Sequence, residues 1–245
     1  MEIGAYSHIG KVREINEDAY YIANGSLNLF VVADGMGGHN AGEVASNVAI
    51  HSIKDFMENH KSEFFDKDEQ TVCKILKKAT LEANHNIFER SKSEIECQGM
   101  GTTLTVVLLL SKVYIAHVGD SRAYLMRENK LSQITEDHSL VAELLKNGSI
   151  TENEAKIHPQ RNMITRALGT EEDIMIDVYT LDLKEGDTIL LCTDGLSNLI
   201  EEEEMREVLI EARDMQKACE HLVALANERG GYDNITVVVI KNRSE

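Results

Sequence analysis

The chain has 245 residues, 42% of them hydrophobic and 5% aromatic with no tryptophan, so aliphatic side chains must build an ordinary globular core. A net charge of −17 argues against a nucleic-acid or anionic-membrane partner, since phosphate binding rests on basic patches. No apolar run approaches the ~18 residues of a membrane span. The N-terminus carries Glu2 and no apolar leader, and the four cysteines (Cys73, Cys97, Cys192, Cys219) form no C-x-x-C pair, so the expectation is a cytoplasmic protein with reduced thiols.

Residues 1–22 contain Arg13-Glu14-Ile15-Asn16-Glu17-Asp18 and then a strand over 19–22. A turn at Asn24-Gly25-Ser26 leads into the strand 29–34, which predicts a hairpin. From Ala41, apolar residues recur at 41, 44, 45, 48, 53, 56 and 57, the spacing of a helix. Val72, Ile75, Leu76, Ala79, Ala83 and Ile87 mark a second helix, and the polar stretch 59–68 between them reads as a short loop. Strands over 103–110, 113–118 and 122–127 follow, with turns at Ser111-Lys112 and Gly119-Asp120-Ser121. Region 136–165 is polar, holds the only proline (Pro159), and contains two short helical stretches, one opened by the capping box Thr151-x-x-Glu154. It reads as an excursion from the main fold, a candidate flap at about 140–165. The chain resumes with strands over 176–181 and 188–193, helices over 201–212 and 215–229, and a strand over 235–240. Glu201-Glu202-Glu203-Glu204 suits a solvated helix start, because the macrodipole favours acidic residues there. The runs 30–33, 188–193 and 235–240 are continuously apolar, as in strands covered on both faces. The economical solution is one domain, α+β, with two stacked sheets between helices.

Several aspartates share one local grammar, a carboxylate in a turn at a strand end. They occur in Ala33-Asp34-Gly35, Thr193-Asp194-Gly195 and Tyr232-Asp233-Asn234, with Glu17-Asp18 before a strand and Asp120 between two. One Asp-Gly turn means little, and Asp34 also reads as a helix cap. Together they point to carboxylates converging on one edge of the sheets, where a cation would have to neutralise them. With glycine beside it, the Gly35 carbonyl could join Asp34 on a hard ion. An all-oxygen set favours Mg²⁺ or Mn²⁺ over Zn²⁺. Two such ions would activate a water for displacement at a phosphoryl group. Arg13 then suits a phosphate; its alternative is a surface pair with Glu14 or Glu17. Gly35-x-Gly37-Gly38 is neither a dinucleotide fingerprint nor a P-loop. His117, within a strand, reads as a satisfied core histidine.

Arg13-x-x-Asn16-Glu17-Asp18, Val32-Ala33-Asp34-Gly35-Met36-Gly37-Gly38-His39, Gly101-Thr102-Thr103, His117-Val118-Gly119-Asp120-Ser121-Arg122-Ala123-Tyr124, Thr165-Arg166-Ala167-Leu168-Gly169, Thr193-Asp194-Gly195-Leu196 and Asp233-Asn234-Ile235-Thr236 together resemble the protein phosphatase 2C family in its short bacterial form. The resemblance implies an α-β-β-α sandwich of two mainly antiparallel sheets and metal-dependent hydrolysis of phosphoserine and phosphothreonine. It implies Asp34 as the ligand bridging two ions, with the Gly35 carbonyl on the second and Asp194 and Asp233 on the first. It places Glu17 and Asp18 in the water-mediated shell, Arg13 on the substrate phosphate, and Asp120 with Asp194 on a third, weaker ion. Arg13, Asp34, Asp194 and Asp233 are thus the catalytic set. The implied partners are a eukaryotic-type Ser/Thr kinase and its phosphorylated substrates, and the family default is a monomer. Met36 stands where animal members carry a histidine thought to protonate the leaving group; a metal-bound water is the first candidate for that role and His39 the second. Two other readings are an inactive phosphatase fold used for binding, against which the retained carboxylates speak, and a nuclease, against which the charge speaks.

Overall fold

The computed structural model describes residues 1–37, 41–65 and 67–243. In chain order the strands are β1 (Glu2–His8), β2 (Asp18–Ala23), β3 (Asn28–Met36), β4 (Gly101–Thr102), β5 (Leu104–Leu109), β6 (Val113–Val118), β7 (Arg122–Arg127), β8 (Lys130–Gln133), β9 (Asp177–Leu181), β10 (Thr188–Cys192) and β11 (Ile235–Lys241). The helices are α1 (Ala41–Asn59), α2 (Glu69–Ser93), α3 (Leu140–Lys146), α4 (Glu152–Lys156), α5 (Asp194–Ser197), α6 (Glu202–Glu211) and α7 (Met215–Glu228). A five-stranded sheet runs β1-β11-β10-β7-β8; a six-stranded sheet runs β2-β3-β5-β6-β9, with β4 paired to the end of β3. Every pairing of these strands is antiparallel.

Side chains alternate across a strand, so a strand apolar at every position must be covered twice. On β3, Leu29, Val31 and Ala33 pack with α1 and α2, while Phe30 and Val32 pack between the sheets. On β11, Ile235, Val237 and Val239 meet α6 and α7, while Val238 and Ile240 face the other sheet. Three apolar layers therefore separate four structural ones, giving the expected α-β-β-α sandwich.

The layer between the sheets changes character along its length. The face that carries Phe30 and Val32 continues to Asp34, and Asp34 lies opposite Asp18 in the register. The same parity continues Val107 to Thr105, Ile115 to His117, Leu191 to Thr193 and Val238 to Thr236. One end of the inter-sheet space is hydrocarbon, and the other is lined by hydroxyls, a histidine and carboxylates.

Strands β1 and β8 have no counterpart among the elements expected from sequence. β1 pairs with β11 from Glu2↔Lys241 to His8↔Ile235 at the sheet edge, and β8 pairs with β7. The expected loop 59–68 contains a 3-10 turn at Lys61–Glu63 and a buried Phe64. The excursion's ends are joined by an antiparallel bridge between Ser139 and Ile164, with Leu140 N donating to Met163 O at 2.9 Å. Glu201 caps α6 in a box with Glu204, which also pairs with Arg229; Lys156 Nζ meets Glu201 Oε1 at 2.8 Å, tying α4 to that helix start. All four cysteines are unpaired, and among the described residues no helix is long and apolar enough to cross a membrane.

Phe30 is wholly buried in the inter-sheet layer. Phe30→Ala should lower unfolding stability by about 3–5 kcal/mol with an unchanged urea m-value, measured by equilibrium unfolding. A loss below about 1 kcal/mol would mean that the two sheets do not depend on that contact.

Candidate active site

Asp34 sits where β3 leaves the sheet, and its backbone is fully engaged. Its N–H donates to Thr103 Oγ1 at 2.9 Å, and its carbonyl accepts from Thr103 N at 2.9 Å and Thr102 Oγ1 at 2.8 Å. Gly35 follows with its N–H donating to Glu17 O at 3.1 Å. A Cβ at Gly35 would collide with the Gly42 carbonyl oxygen, so the close approach of β3 to α1 requires glycine.

Asp18 is buried; Thr193 Oγ1 donates to its Oδ2 at 2.9 Å and accepts from Thr236 N at 3.0 Å. Asp194 opens α5, where Asn198 Nδ2 donates to its Oδ2 at 3.1 Å. Asp120 follows Gly119, whose φ of +112° and close contact with Thr103 exclude a side chain. Thr103 Oγ1 accepts from the Asp34 amide and shares a hydrogen bond with Ser121 Oγ at 2.8 Å, joining the two aspartate-bearing segments. Asn234 holds the opposite rim: its Oδ1 accepts from Glu17 N at 2.8 Å, and its Nδ2 donates to Ile15 O at 2.9 Å and Ile9 O at 3.0 Å. Arg13 Nη2 donates to Asp233 Oδ2 at 2.7 Å, not to Glu14 or Glu17, and the two side chains are 47% and 31% exposed.

The structure thus gathers Asp18, Asp34, Asp120, Asp194 and Asp233, with Glu17 and Arg13 at the rim. The mutual electrostatics record it. Burial pushes Asp34 well above the usual carboxylate range, and Asp18, Asp194, Asp120 and Asp233 add to the shift. Burial pushes Asp120 up to about 8, with Asp194 and Asp137 contributing. Asp18 rises to about 7 by burial, against the hydrogen bonds of Thr236 and Thr193. Asp194 rises to about 6 by burial and the charge of Asp233. Burial also raises Glu17, opposed by Arg13.

Four carboxylate oxygens of this cluster, Glu17 Oε1, Asp18 Oδ1, Asp120 Oδ1 and Asp194 Oδ1, are buried and have no hydrogen-bond partner among the described residues. Buried acceptors are almost always satisfied, so four orphans in one cluster fit hard cations and their water shell. The donors are all oxygen, which suits Mg²⁺ or Mn²⁺. Among the described residues, no three His, Cys, Asp or Glu side chains already close into a tight ligand cage. His39 lies outside the described residues. His117 bonds to Thr105 Oγ1 at 3.0 Å and to Glu136 O at 3.1 Å, so it is the satisfied core histidine expected. The hydroxyls of Thr103, Ser121 and Thr193 and the amide of Asn234 carry roles that the sequence does not mark.

A family model of protein phosphatase 2C matches residues 6–230. The serine/threonine phosphatase stp of Listeria monocytogenes is 40% identical over 235 residues, covering 95% of this chain and 92% of that protein. The structure of the Mycobacterium tuberculosis serine/threonine phosphatase PstP/Ppp superposes with a TM-score of 0.88 at 37% identity, covering 99% of this chain and 98% of that one. The catalytic domain of the serine/threonine protein phosphatase PstP in complex with two manganese ions superposes with a TM-score of 0.84 at 36% identity, covering 97% and 96%. The chain belongs to the protein phosphatase 2C family. It is a serine/threonine protein phosphatase of the bacterial type, and it acts on phosphoproteins.

Asp120 gives a test of these electrostatics. Its folded-state pKa of about 8 lies above the ~3.9 of an unfolded aspartate, so the stability it contributes is present below pH ~4 and lost as pH rises through about 8. His117 and His138, held below their usual range by burial, act in the opposite sense but are common to wild type and variant. In chelator, the stability of Asp120→Asn relative to wild type should therefore rise from about pH 5 to about pH 8.5 in urea unfolding. A flat difference would show that Asp120 titrates normally.

Proposed function

We propose that this phosphatase hydrolyses phosphoserine and phosphothreonine with two divalent cations, Mn²⁺ or Mg²⁺, held by the aspartate cluster. The observation that carries the reading is the group of four orphaned, buried carboxylate oxygens at the polar end of the inter-sheet layer. Asp34 and the Gly35 carbonyl, with Asp194 and Asp233, would hold the ions; Asp18 and Glu17 would order their water shell, and Asp120 with Asp194 would take a third, weaker one. The two manganese ions in the similar PstP catalytic domain support this assignment. Bound there, the cations would supply Lewis acidity and a water acidified towards neutral pH.

The chain's own groups do the rest. Arg13 is half-exposed and planar, suited to bidentate contact with the substrate phosphate. Its pairing with Asp233 parks the guanidinium at the rim, and an arriving dianionic phosphate competes with that carboxylate for it. Burial between the sheets keeps the carboxylates away from bulk water, which strengthens their hold on charge. Met36 has no proton to give a leaving group. The chain works as one catalytic domain, with residues 140–165 as a flap beside the site. In the cytoplasm, as a monomer, it opposes a eukaryotic-type Ser/Thr kinase by dephosphorylating that kinase and its substrates. The −17 charge supports protein rather than nucleic-acid substrates.

Phosphate release from a phosphothreonine peptide should require Mn²⁺ or Mg²⁺ and stop in chelator; metal-independent turnover would overturn the reading. Asp194→Ala should lower kcat at least ~10³-fold at saturating Mn²⁺ by removing a charged ligand. Arg13→Ala should act mainly on KM, since uniform phosphate binding is what it contributes. A fall in kcat alone would place Arg13 on the transition state instead.

A further inference from the structure

His138 lies outside the carboxylate cluster and is almost wholly buried, and among the described residues its hydrogen bonds go to none of the proposed ligands. Its contacts nevertheless converge on the residue before Asp120. The His138 backbone N–H donates to Gly119 O at 2.8 Å, and the Gly119 N–H donates to His138 Nδ1 at 3.0 Å. One residue thus holds both backbone groups of Gly119. Because Nδ1 accepts, the ring hydrogen must sit on Nε2, which donates to Asp177 Oδ2 at 2.9 Å. Arg166 Nη1 lies 3.0 Å from the same Nε2, but two donors cannot bond each other. Its hydrogen goes instead to the other carboxylate oxygen, Asp177 Oδ1, at 3.3 Å.

The same residue anchors the excursion. Its carbonyl accepts from Thr165 N at 2.8 Å, and the next residue, Ser139, bridges to Ile164. Behind it, the His117 ring lies 4.9 Å away, centroid to centroid. Thr105 Oγ1 contacts both His117 Nδ1 at 3.0 Å and Ser121 O at 3.2 Å. The Gly119-Asp120-Ser121 turn is therefore held before Asp120 by His138 and after it by the contact between the Thr103 and Ser121 hydroxyls, while Thr105 gives its one hydrogen to His117 Nδ1. Asp120 Oδ1 is left buried, with no partner among the described residues.

We infer that His138 is a positioning residue: its Nδ1 acceptor locks the Gly119 amide, aims the Asp120 carboxylate at the cluster, and joins that aim to the base of the 139–164 excursion. The inference rests on the reading of Asp120 as a cation ligand. Residues that orient ligands through such contacts typically change metal affinity by ~10–100-fold when replaced.

Two substitutions separate the ring's two nitrogens. His138→Asn keeps an acceptor at the Nδ1 position and gives up reach to Asp177, whereas His138→Gln keeps reach to Asp177 and gives up the acceptor. Amide exchange of Gly119 by NMR in metal-free protein, with calorimetric Mn²⁺ titration, should show protection and the weakest Mn²⁺ step retained in His138→Asn. In His138→Gln, both should fall about tenfold. In wild type, nitrogen NMR should find His138 protonated on Nε2 and coupled through the hydrogen bond to the Gly119 amide. A proton on Nδ1 overturns the inference even if neither variant folds, as does equal Gly119 exchange in the two variants. Wild type that binds no Mn²⁺ overturns the ligand reading of Asp120, and with it the cation arm, while Gly119 exchange still decides whether His138 holds the turn.

Discussion

The structure depends on an electrostatic constraint that it cannot relieve by itself. Asp18, Asp34, Asp120 and Asp194 are desolvated together, and the charges gathered around them raise their affinity for protons further. A buried like-charged cluster destabilises a fold unless protons or cations occupy it. The hydrogen bonds nearby do not remove the repulsion. Thr193 and Asn198 each take one oxygen of an aspartate and leave the other bare. A chain that needed only stability would place threonine or valine at these positions, as it does at Val32, Val118 and Thr193 just before Asp34, Asp120 and Asp194.

The sandwich makes that cluster tolerable by confining it. The inter-sheet face of β3 reads Phe30, Val32, Asp34, and that of β11 reads Ile240, Val238, Thr236 towards the same end. A single period-2 pattern thus builds hydrophobic core and ligand platform on one face, with hydroxyls as the boundary between them. Because strand ladders fix the backbone up to the last apolar residue, the carboxylates that follow inherit its rigidity.

Much of this was legible in the sequence because the signals are local. Unbroken apolar runs announced strands covered on both sides, and Asp-Gly turns at their ends announced the cluster. Strand β1 was not legible: only Ile3 and Ala5 of its inward face are apolar, and its partner β11 lies at the far end of the chain. Sequence offers Arg13 only the nearby Glu14 and Glu17 as ion-pair partners, yet its partner Asp233 is 220 residues away. Thr103 and Thr193 serve residues 69 and 175 positions away, and a lone hydroxyl carries no mark of such a role. His138 looked like part of a polar excursion, because its hold on Gly119 exists only once the chain has turned there between β6 and β7.

The supporting network divides its labour by atom type. At Asp34, backbone N–H and C=O are both bound, while the side chain is left to its fellow carboxylates. At Asp120, His138 holds the Gly119 backbone before it and the Thr103 hydroxyl meets that of Ser121 after it, and among the described residues Asp120 Oδ1 has no partner. At Asp233, the N–H of Asn234 takes one oxygen and a displaceable guanidinium the other. Fixing backbone while leaving one oxygen each of Asp18, Asp120 and Asp194 without a partner among the described residues keeps the geometry precise without using up the lone pairs that charge must later occupy. It also explains why the site sits at strand ends rather than within strands. A mid-strand aspartate would be as rigid, but its oxygens would face hydrocarbon, where neither water nor phosphate could reach them.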